Sequence, residues 1–361
     1  MKTKVFICSL KKTGRLHLVN ILKREFSLQK KSYLVKPNLF TIKTALEGAT
    51  TDPQLILFVA KTLKEVGATP IVGECPAMAS YARPDIVFDG LGIRKLCQEN
   101  DIELRVLDRD KPIRVEVSKG VVLKELWLPE TIFKVDGIIN LPKLKTHQLT
   151  TLTCAVKNLF GLQQGGSKAN HHRRVANDPE AFAHLLLDIY TVTKPHVKFN
   201  IVDAMIAMEG EGPTTGDPVN MNLIIAGEDA AAVDYVCAAL AGWDPLTVPT
   251  IRLAAERGLG PKSLNEIEII GIPIEEARHP LRKPSTSLEL EQFHRIKMRI
   301  APNSEKCQQC GICQKVCPVG AITLTGVPEI DYARCIQCFC CTELCPYGAL
   351  KAIRPEERNH G

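Results

Sequence analysis

Residues 307–320 read CQQCGICQKVCPVG, and residues 335–348 read CIQCFCCTELCPYG, the same cysteine spacing at an offset of 28 residues. Each copy contains C-x2-C-x2-C-x3-C-P, a run that ligates [4Fe–4S] clusters. A tight loop places three thiolates on three irons of one cubane. The fourth cysteine, followed by proline, has turned away and serves the cubane of the other copy. This spacing predicts two [4Fe–4S] clusters, one on Cys307, Cys310, Cys313 and Cys345, the other on Cys335, Cys338, Cys341 and Cys317. A pair of structural zinc sites is the alternative, but zinc usually takes two separated C-x2-C pairs. Cys340 is left over between two ligands and reads as a buried thiol shielding the cluster.

Fourteen cysteines, nine of them between Cys307 and Cys345, argue for a reducing compartment and metal binding rather than a disulfide scaffold. No apolar run approaches the 18 or so residues of a membrane span. The N-terminal apolar run, Val5–Cys8, has strand length and is too short for a signal peptide. The expectation is a cytoplasmic protein without a membrane span. The chain has 361 residues and a net charge of +6. Residues 1–43 hold eleven Lys/Arg and one acid, Glu25, whereas residues 300–361 hold six of each sign. Such a basic part attracts anions. Aromatic residues make up only 5%, with no basic–aromatic run, so nucleic acid is not an expected partner.

Before the cysteines, short apolar runs alternate with helical patterns. Lys2–Cys8, Ser32–Val35, Pro70–Gly73, Ile102–Leu107, Val135–Leu141, Phe199–Ala207, Leu223–Ala226 and Ile267–Ile270 read as strands. Asp52-Pro53 and Asp178-Pro179 read as helix starts, and Ala230–Leu240 as a helix ended by Gly242. This pattern predicts an α/β domain, residues 1–298, with a mostly parallel or mixed sheet flanked by helices. A small α+β ferredoxin-like domain follows, residues 299–361. Residues 107–133 fit an antiparallel excursion. Leu288, Leu290, Phe293, Ile296 and Ile300 fit one amphipathic helix in a connector packed on the first domain.

Titratable residues crowd the segment after Val135–Leu141. Lys143, Lys145 and His147 fall where ligands bind in open α/β sheets, beyond the carboxyl end of a strand. Lys157, Asn158 and the run His171-His172-Arg173-Arg174 follow. The set suits a carboxylate or phosphate, with a histidine able to move protons. A solvated basic loop is the competing reading. The stretch from Gly161 to Lys168 lacks the Lys-Ser/Thr ending of a P-loop. The segment Glu209-Gly210-Glu211-Gly212-Pro213 follows a strand but fails the dinucleotide fingerprint. Its carboxylates can bind a metal, accept a proton or neutralise the lysines. Cys75, just after a strand, can approach a site.

Together Lys145-Thr146-His147, Lys157-Asn158-Leu159-Phe160-Gly161 and Met208–Pro213 resemble domain-of-unknown-function family 362. Val35-Lys36-Pro37-Asn38, Thr51-Asp52-Pro53 and the tail, similar to a bacterial two-cluster ferredoxin module, fit as well. The resemblance implies prokaryotic cytoplasmic proteins, often anaerobic, and no settled reaction. It marks Lys145, His147, Lys157, Asn158, Glu209 and Gly212 as site positions. The resulting expectation is an oxidoreductase. Lys143, Lys145 and Lys157 bind an anionic group, and His147 donates a proton with Glu209 or Glu211 as partner. Asn158, His171, Arg173, Glu211 and Gly212 contact the substrate, and a donor or acceptor protein supplies or takes electrons. The alternatives are an electron carrier that docks through its basic face, and a metallocofactor maturation factor.

Overall fold

A computed structural model of the chain describes residues 2–9, 14–25, 31–77, 85–176, 178–287 and 298–353. The strands are β1 (Thr3–Ser9), β2 (Ser32–Pro37), β3 (Thr69–Glu74), β4 (Glu103–Val106), β5 (Pro112–Glu116), β6 (Glu125–Pro129), β7 (Gly137–Leu141), β8 (Lys143–His147), β9 (Thr151–Thr153), β10 (Val197–Glu209), β11 (Asp217–Gly227) and β12 (Ile267–Gly271). Four short strands follow, β13 (Arg299–Pro302), β14 (Ile322–Leu324), β15 (Pro328–Ile330) and β16 (Leu350–Ile353).

The large sheet has the order β12-β1-β11-β10-β7-β2-β3-β4, with β8 and β9 attached at β10. Strands β4, β3, β2, β7 and β10 are mutually parallel, while β11 runs antiparallel to both its neighbours. The parallel strands are apolar along most of their length because helices cover both faces; all five residues of β7 are buried. The helices begin where their caps dictate. The Asp52 carboxylate accepts the Gln54 N–H ahead of the helix Pro53–Glu65, and that of Asp178 accepts Glu180 and Ala181 N–H ahead of Pro179–Thr193. Successive strands β2, β3 and β4 run outward one way, and β7 and β10 the other. The topological switch therefore lies between β2 and β7, where open α/β sheets form their crevice.

One segment differs from the expectation. Lys143–His147 is a strand and not a loop. Pro142 has no N–H to continue the β7 ladder, but its carbonyl accepts Asp203 N–H at 2.8 Å. The 13-residue β10 then supplies a second partner, pairing Asp203 with Lys143 and Met208 with Lys145. The antiparallel excursion in 107–133 is the pair β5–β6. The amphipathic pattern 288–297 lies outside the described residues, and Ile300, its last member, pairs in β13 with Ala352 of β16.

The cysteine repeat is also a backbone repeat. Positive φ occurs at Gln309 and Gln337, at Gly311 and Phe339, and at Gly320 and Gly348, each pair 28 residues apart. Cys317 Sγ accepts Ala321 N–H, and Cys345 Sγ accepts Ala349 N–H at the matching position, at 3.1 and 3.2 Å.

Lys143 is a structural residue. Its ammonium donates to Asp203 at 2.9 Å with both side chains buried, and Asp203 also accepts the Asp52 and Met205 N–H groups. Breaking such a pair leaves a buried charge uncompensated, at a cost of about 3–5 kcal/mol. Urea unfolding should show Lys143→Met destabilised by about that amount. Adding Asp203→Asn should restore part of the loss. Equal stability of Lys143→Met and wild type would contradict this assignment.

Candidate functional site

A cavity of about 730 Å³ opens at the carboxyl edge of the parallel strands. Asn38 follows β2, Glu74 and Cys75 end β3, and Lys145 and His147 come from β8. Lys157, Asn158 and Gly161 come from the turn after β9. The remaining wall is the C-terminal part, through Val316, Cys340, Glu343 and Leu344. Thr342 Oγ1 donates to Gln148 Oε1 at 3.2 Å and ties the two parts together beside the opening.

The floor is a chain of buried amides. Lys145 Nζ donates to Asn38 Oδ1 (2.9 Å), Asn38 Nδ2 to Asn158 Oδ1 (2.9 Å), Asn158 Nδ2 to Asn140 Oδ1 (2.8 Å), and Asn140 Nδ2 to Asn200 Oδ1 (2.8 Å). Each amide is thereby oriented, and the chain spans the switch between β2 and β7. Lys145 also donates to the Ala49 carbonyl and lies 3.9 Å from the Phe40 ring centroid. Lys36 pairs with Glu74 at 2.6 Å. Lys168 donates to the carbonyls of Cys75 and Gln163. Gly161 packs on the Lys36–Glu74 pair so closely that a Cβ there would stand 2.6 Å from Lys36 Nζ.

Lys157 differs from the other cavity lysines. No hydrogen bond or ion pair engages its ammonium among the described residues; it lies 5.7 and 5.9 Å from the ring centroids of Phe160 and Phe182. Burial pushes its pKa below the usual lysine value, an effect the Glu343 carboxylate opposes. Burial, followed by the charges of Lys157 and Lys143, holds Lys145 well below its usual value.

His147 Nδ1 accepts the N–H groups of Leu149 (3.1 Å) and Thr150 (3.4 Å), so the ring proton sits on Nε2. His147 Nε2 and Glu343 Oε1 stand 3.3 Å apart, within ion-pair range but off line for a hydrogen bond, and both atoms lack a hydrogen-bond partner among the described residues. Thr153 Oγ1 and His172 Nδ1, on the same cavity, are also unpartnered. Buried polar atoms are normally satisfied, and four orphans around one cavity mark a place for a polar ligand.

Of the residues singled out from sequence, His147, Lys145, Lys157 and Asn158 meet at this cavity. Others do not. Glu209 is taken by Arg282, accepting from its backbone N–H (2.9 Å) and Nε (2.8 Å). Glu211 accepts from Gln148 Nε2 and Ser285 N–H. Both acids anchor the segment 282–285, and neither lines the cavity with His147. Gly212 does not line the cavity; it lets the backbone close on the Thr146 carbonyl, where a Cβ would overlap, and places Pro213 in the wall. Lys143 is held by Asp203. On the helix Ser167–Val175, positions 168, 172 and 175 face inward, so His172 reaches the cavity. His171 instead meets Gln163 Oε1 at 3.1 Å, and Arg173 is exposed. Glu343 and Glu74 are site residues that sequence reasoning did not single out; His172 entered only within a run of donors, and Asn38 only within a motif carried by the family resemblance.

The cysteines form two sets. Cys307, Cys310, Cys313 and Cys345 surround a void of about 320 Å³. Cys317, Cys335, Cys338 and Cys341 surround one of about 360 Å³. In each set the four cysteines line one pocket. Cys340 lines both the second void and the large cavity.

Three histidines, His147 and His172 buried and His171 half-buried, sit where charge is disfavoured. Burial, with Lys157 next, holds His147 well below 6.5 and His172 at about 3; burial, then Arg174, holds His171 at about 4. Each titrates near 6.5 when unfolded. As pH falls below 6.5 the unfolded chain takes up protons that the fold refuses, and stability drops by up to about 1.4 kcal/mol per pH unit for each. Urea unfolding between pH 7.5 and 5 should show this loss. His172→Phe, which keeps a ring against Phe160 and Phe182, should flatten part of it. A stability independent of pH in that range would contradict neutral burial.

Three comparisons bear on identity. Residues 306–349 match the family described as "4Fe-4S dicluster domain", so the chain carries a ferredoxin-type domain with iron–sulfur electron-transfer capacity. The chain is 34% identical over 228 residues to "Thylakoid-associated protein sll1697" of Synechocystis sp., covering 63% of this chain and 68% of that protein. The lactate racemase apoprotein from Thermoanaerobacterium thermosaccharolyticum aligns with a TM-score of 0.42 and 12% identity, over 65% of this chain and only 57% of that one. Among the described residues no helix is long and apolar enough to cross a membrane. Residues 34–239, which supply most of the cavity, match "Domain of unknown function (DUF362)", and the chain belongs to that family.

Proposed function

We propose that this chain is an iron–sulfur oxidoreductase that passes electrons from its C-terminal domain, residues 299–361, to an anionic substrate in the cavity of its α/β domain, residues 1–298. One observation carries the reading: Cys340 belongs at once to the wall of the cavity and to the void ringed by Cys317, Cys335, Cys338 and Cys341. In this reading that set holds the inner of two [4Fe–4S] clusters, and Cys307, Cys310, Cys313 and Cys345 hold the outer one. The grouping of each set around one pocket and the N–H donors on Cys317 and Cys345 Sγ support the assignment. Clusters of this type supply electrons one at a time at low potential.

The chain's own residues do the rest. Lys157, the cavity lysine without an acceptor, binds the anionic group, and Asn158 and Lys145 fix the floor beneath it. His147 carries its proton on Nε2, and losing it would leave an imidazolate. His147 therefore donates a hydrogen bond to charge developing on the substrate. Glu343, 3.3 Å from Nε2, moves the proton, in place of the acids expected from sequence. A two-electron reduction takes up two electrons from a soluble reduced carrier and two protons through Glu343. A carrier of this kind and many free thiols suit a cytoplasmic setting.

The test is anaerobic. The reduced protein is mixed with small-molecule fractions of cell extract, and reoxidation is followed by iron–sulfur absorbance. Lys157→Met and Glu343→Gln should keep their iron content and lose reoxidation by about 100-fold or more, while Arg173→Ala matches wild type. A fully active Lys157→Met protein would sink the site assignment. Reoxidation by protein fractions only, equal in all variants, would make the chain a carrier.

A further inference from the structure

The two cysteine sets differ in access to solvent. Each set has two buried cysteines, Cys338 and Cys341 in the inner and Cys313 and Cys345 in the outer, and Cys317, Cys335 and Cys307 are half-buried; the exposed member is Cys310 of the outer set. The outer set is therefore where a second protein can bring a redox centre close. A groove of about 670 Å³ lies beside it, and Tyr347 lines both the groove and the outer void.

The groove's surface is unusual. Leu46 is 73% exposed, more than any other large apolar side chain among the described residues, and Tyr347 beside it is 48% exposed. Leu46 does not sit on a loose tip. It rides on the single turn Ala45–Glu47, closed by a capping box in which Thr44 N–H donates to Glu47 Oε2 at 2.8 Å. Gly48, with φ 71°, pins that turn against β10, where a Cβ would stand 2.7 Å from the Ala207 carbonyl oxygen. A rigid turn that holds a leucine out in water spends apolar surface that folding alone would bury. Around this centre stand Lys43, Lys306 and Lys351. Lys43 is paired with Glu47 at 3.2 Å, but no carboxylate pairs with Lys306 or Lys351 among the described residues.

We propose that this groove is the docking face for a small acidic one-electron carrier protein, which delivers electrons to the outer cluster. An apolar centre with a basic rim matches the usual anatomy of a transient interface, and the two unpaired lysines select an acidic partner. The inference rests on the assignment of a cluster to the outer cysteines but not on any chemistry in the cavity.

Stopped-flow reduction of the oxidised holoprotein tests it, with a reduced acidic ferredoxin as donor and, in parallel, with dithionite or reduced viologen. No substrate is present, so the result is independent of whether the cavity reduces anything. At low salt, Lys306→Glu with Lys351→Glu should slow reduction by the ferredoxin by about tenfold or more, and Leu46→Asp should do the same. Reduction by the small reductants should match wild type in all variants. Raising the salt should slow the wild type and leave the double variant little changed. Wild-type rates with ferredoxin in these variants would overturn the proposal. So would a salt-independent rate, or a homodimer in solution that Leu46→Asp dissociates, which would assign the face to a second copy of the chain.

Discussion

The contact on which the site depends is made by one turn of helix, Cys340–Glu343. It carries the proposed ligand Cys341 and closes a crevice at the switch point of a parallel sheet. Thr342 bonds Gln148, its carbonyl accepts Thr214 Oγ1 at 3.4 Å, and Glu343 faces His147. Without that turn the crevice would be an open, hydrated sheet edge. With it, lysines, histidines and a carboxylate share one partly enclosed space, where each charge interacts more strongly with its neighbours than in bulk water.

The lysines around this space show how the fold separates structure from chemistry. Lys36 and Lys143 are neutralised by Glu74 and Asp203, and Lys145 and Lys168 are satisfied by carbonyl oxygens. Withdrawing an unpaired ammonium from water is costly, and Lys157 is half-buried with no acceptor in place among the described residues. In the proposed function an anion in the cavity would offset it, as would the negative charge of a thiolate-bound cluster behind Cys340. A group that interacts with both is positioned to couple ligand binding to electron arrival.

Much of the fold was legible because local chemistry decides it. Asp52-Pro53 and Asp178-Pro179 start helices, Ala230–Leu240 is a helix over that range, and buried strands alternate with helices along the chain. The cysteine spacing likewise carries into a backbone repeat. What was not legible depended on tertiary partners. Pro142 reads as the end of a strand, yet long β10 lets pairing resume at Lys143. Without the helix at 167–175 there is no phase to separate His172 from His171 and Arg173. Glu209 looks free until Arg282 arrives from 73 residues away. Glu343 left one signal. At the matching repeat position stands Lys315, which is exposed, and Gly311-Ile312 likewise becomes Phe339-Cys340. The second copy departs from the first where it meets the cavity.

The most direct test of the central claim, that the inner cysteine set borders the cavity beside Lys157, is an anaerobic redox titration followed by electron paramagnetic resonance, comparing wild type with Lys157→Met. Removing a nearby positive charge disfavours the reduced, more negative cluster. The account predicts that one of two midpoint potentials falls while the other stays in place. Two unchanged potentials, or two that shift together, would contradict it.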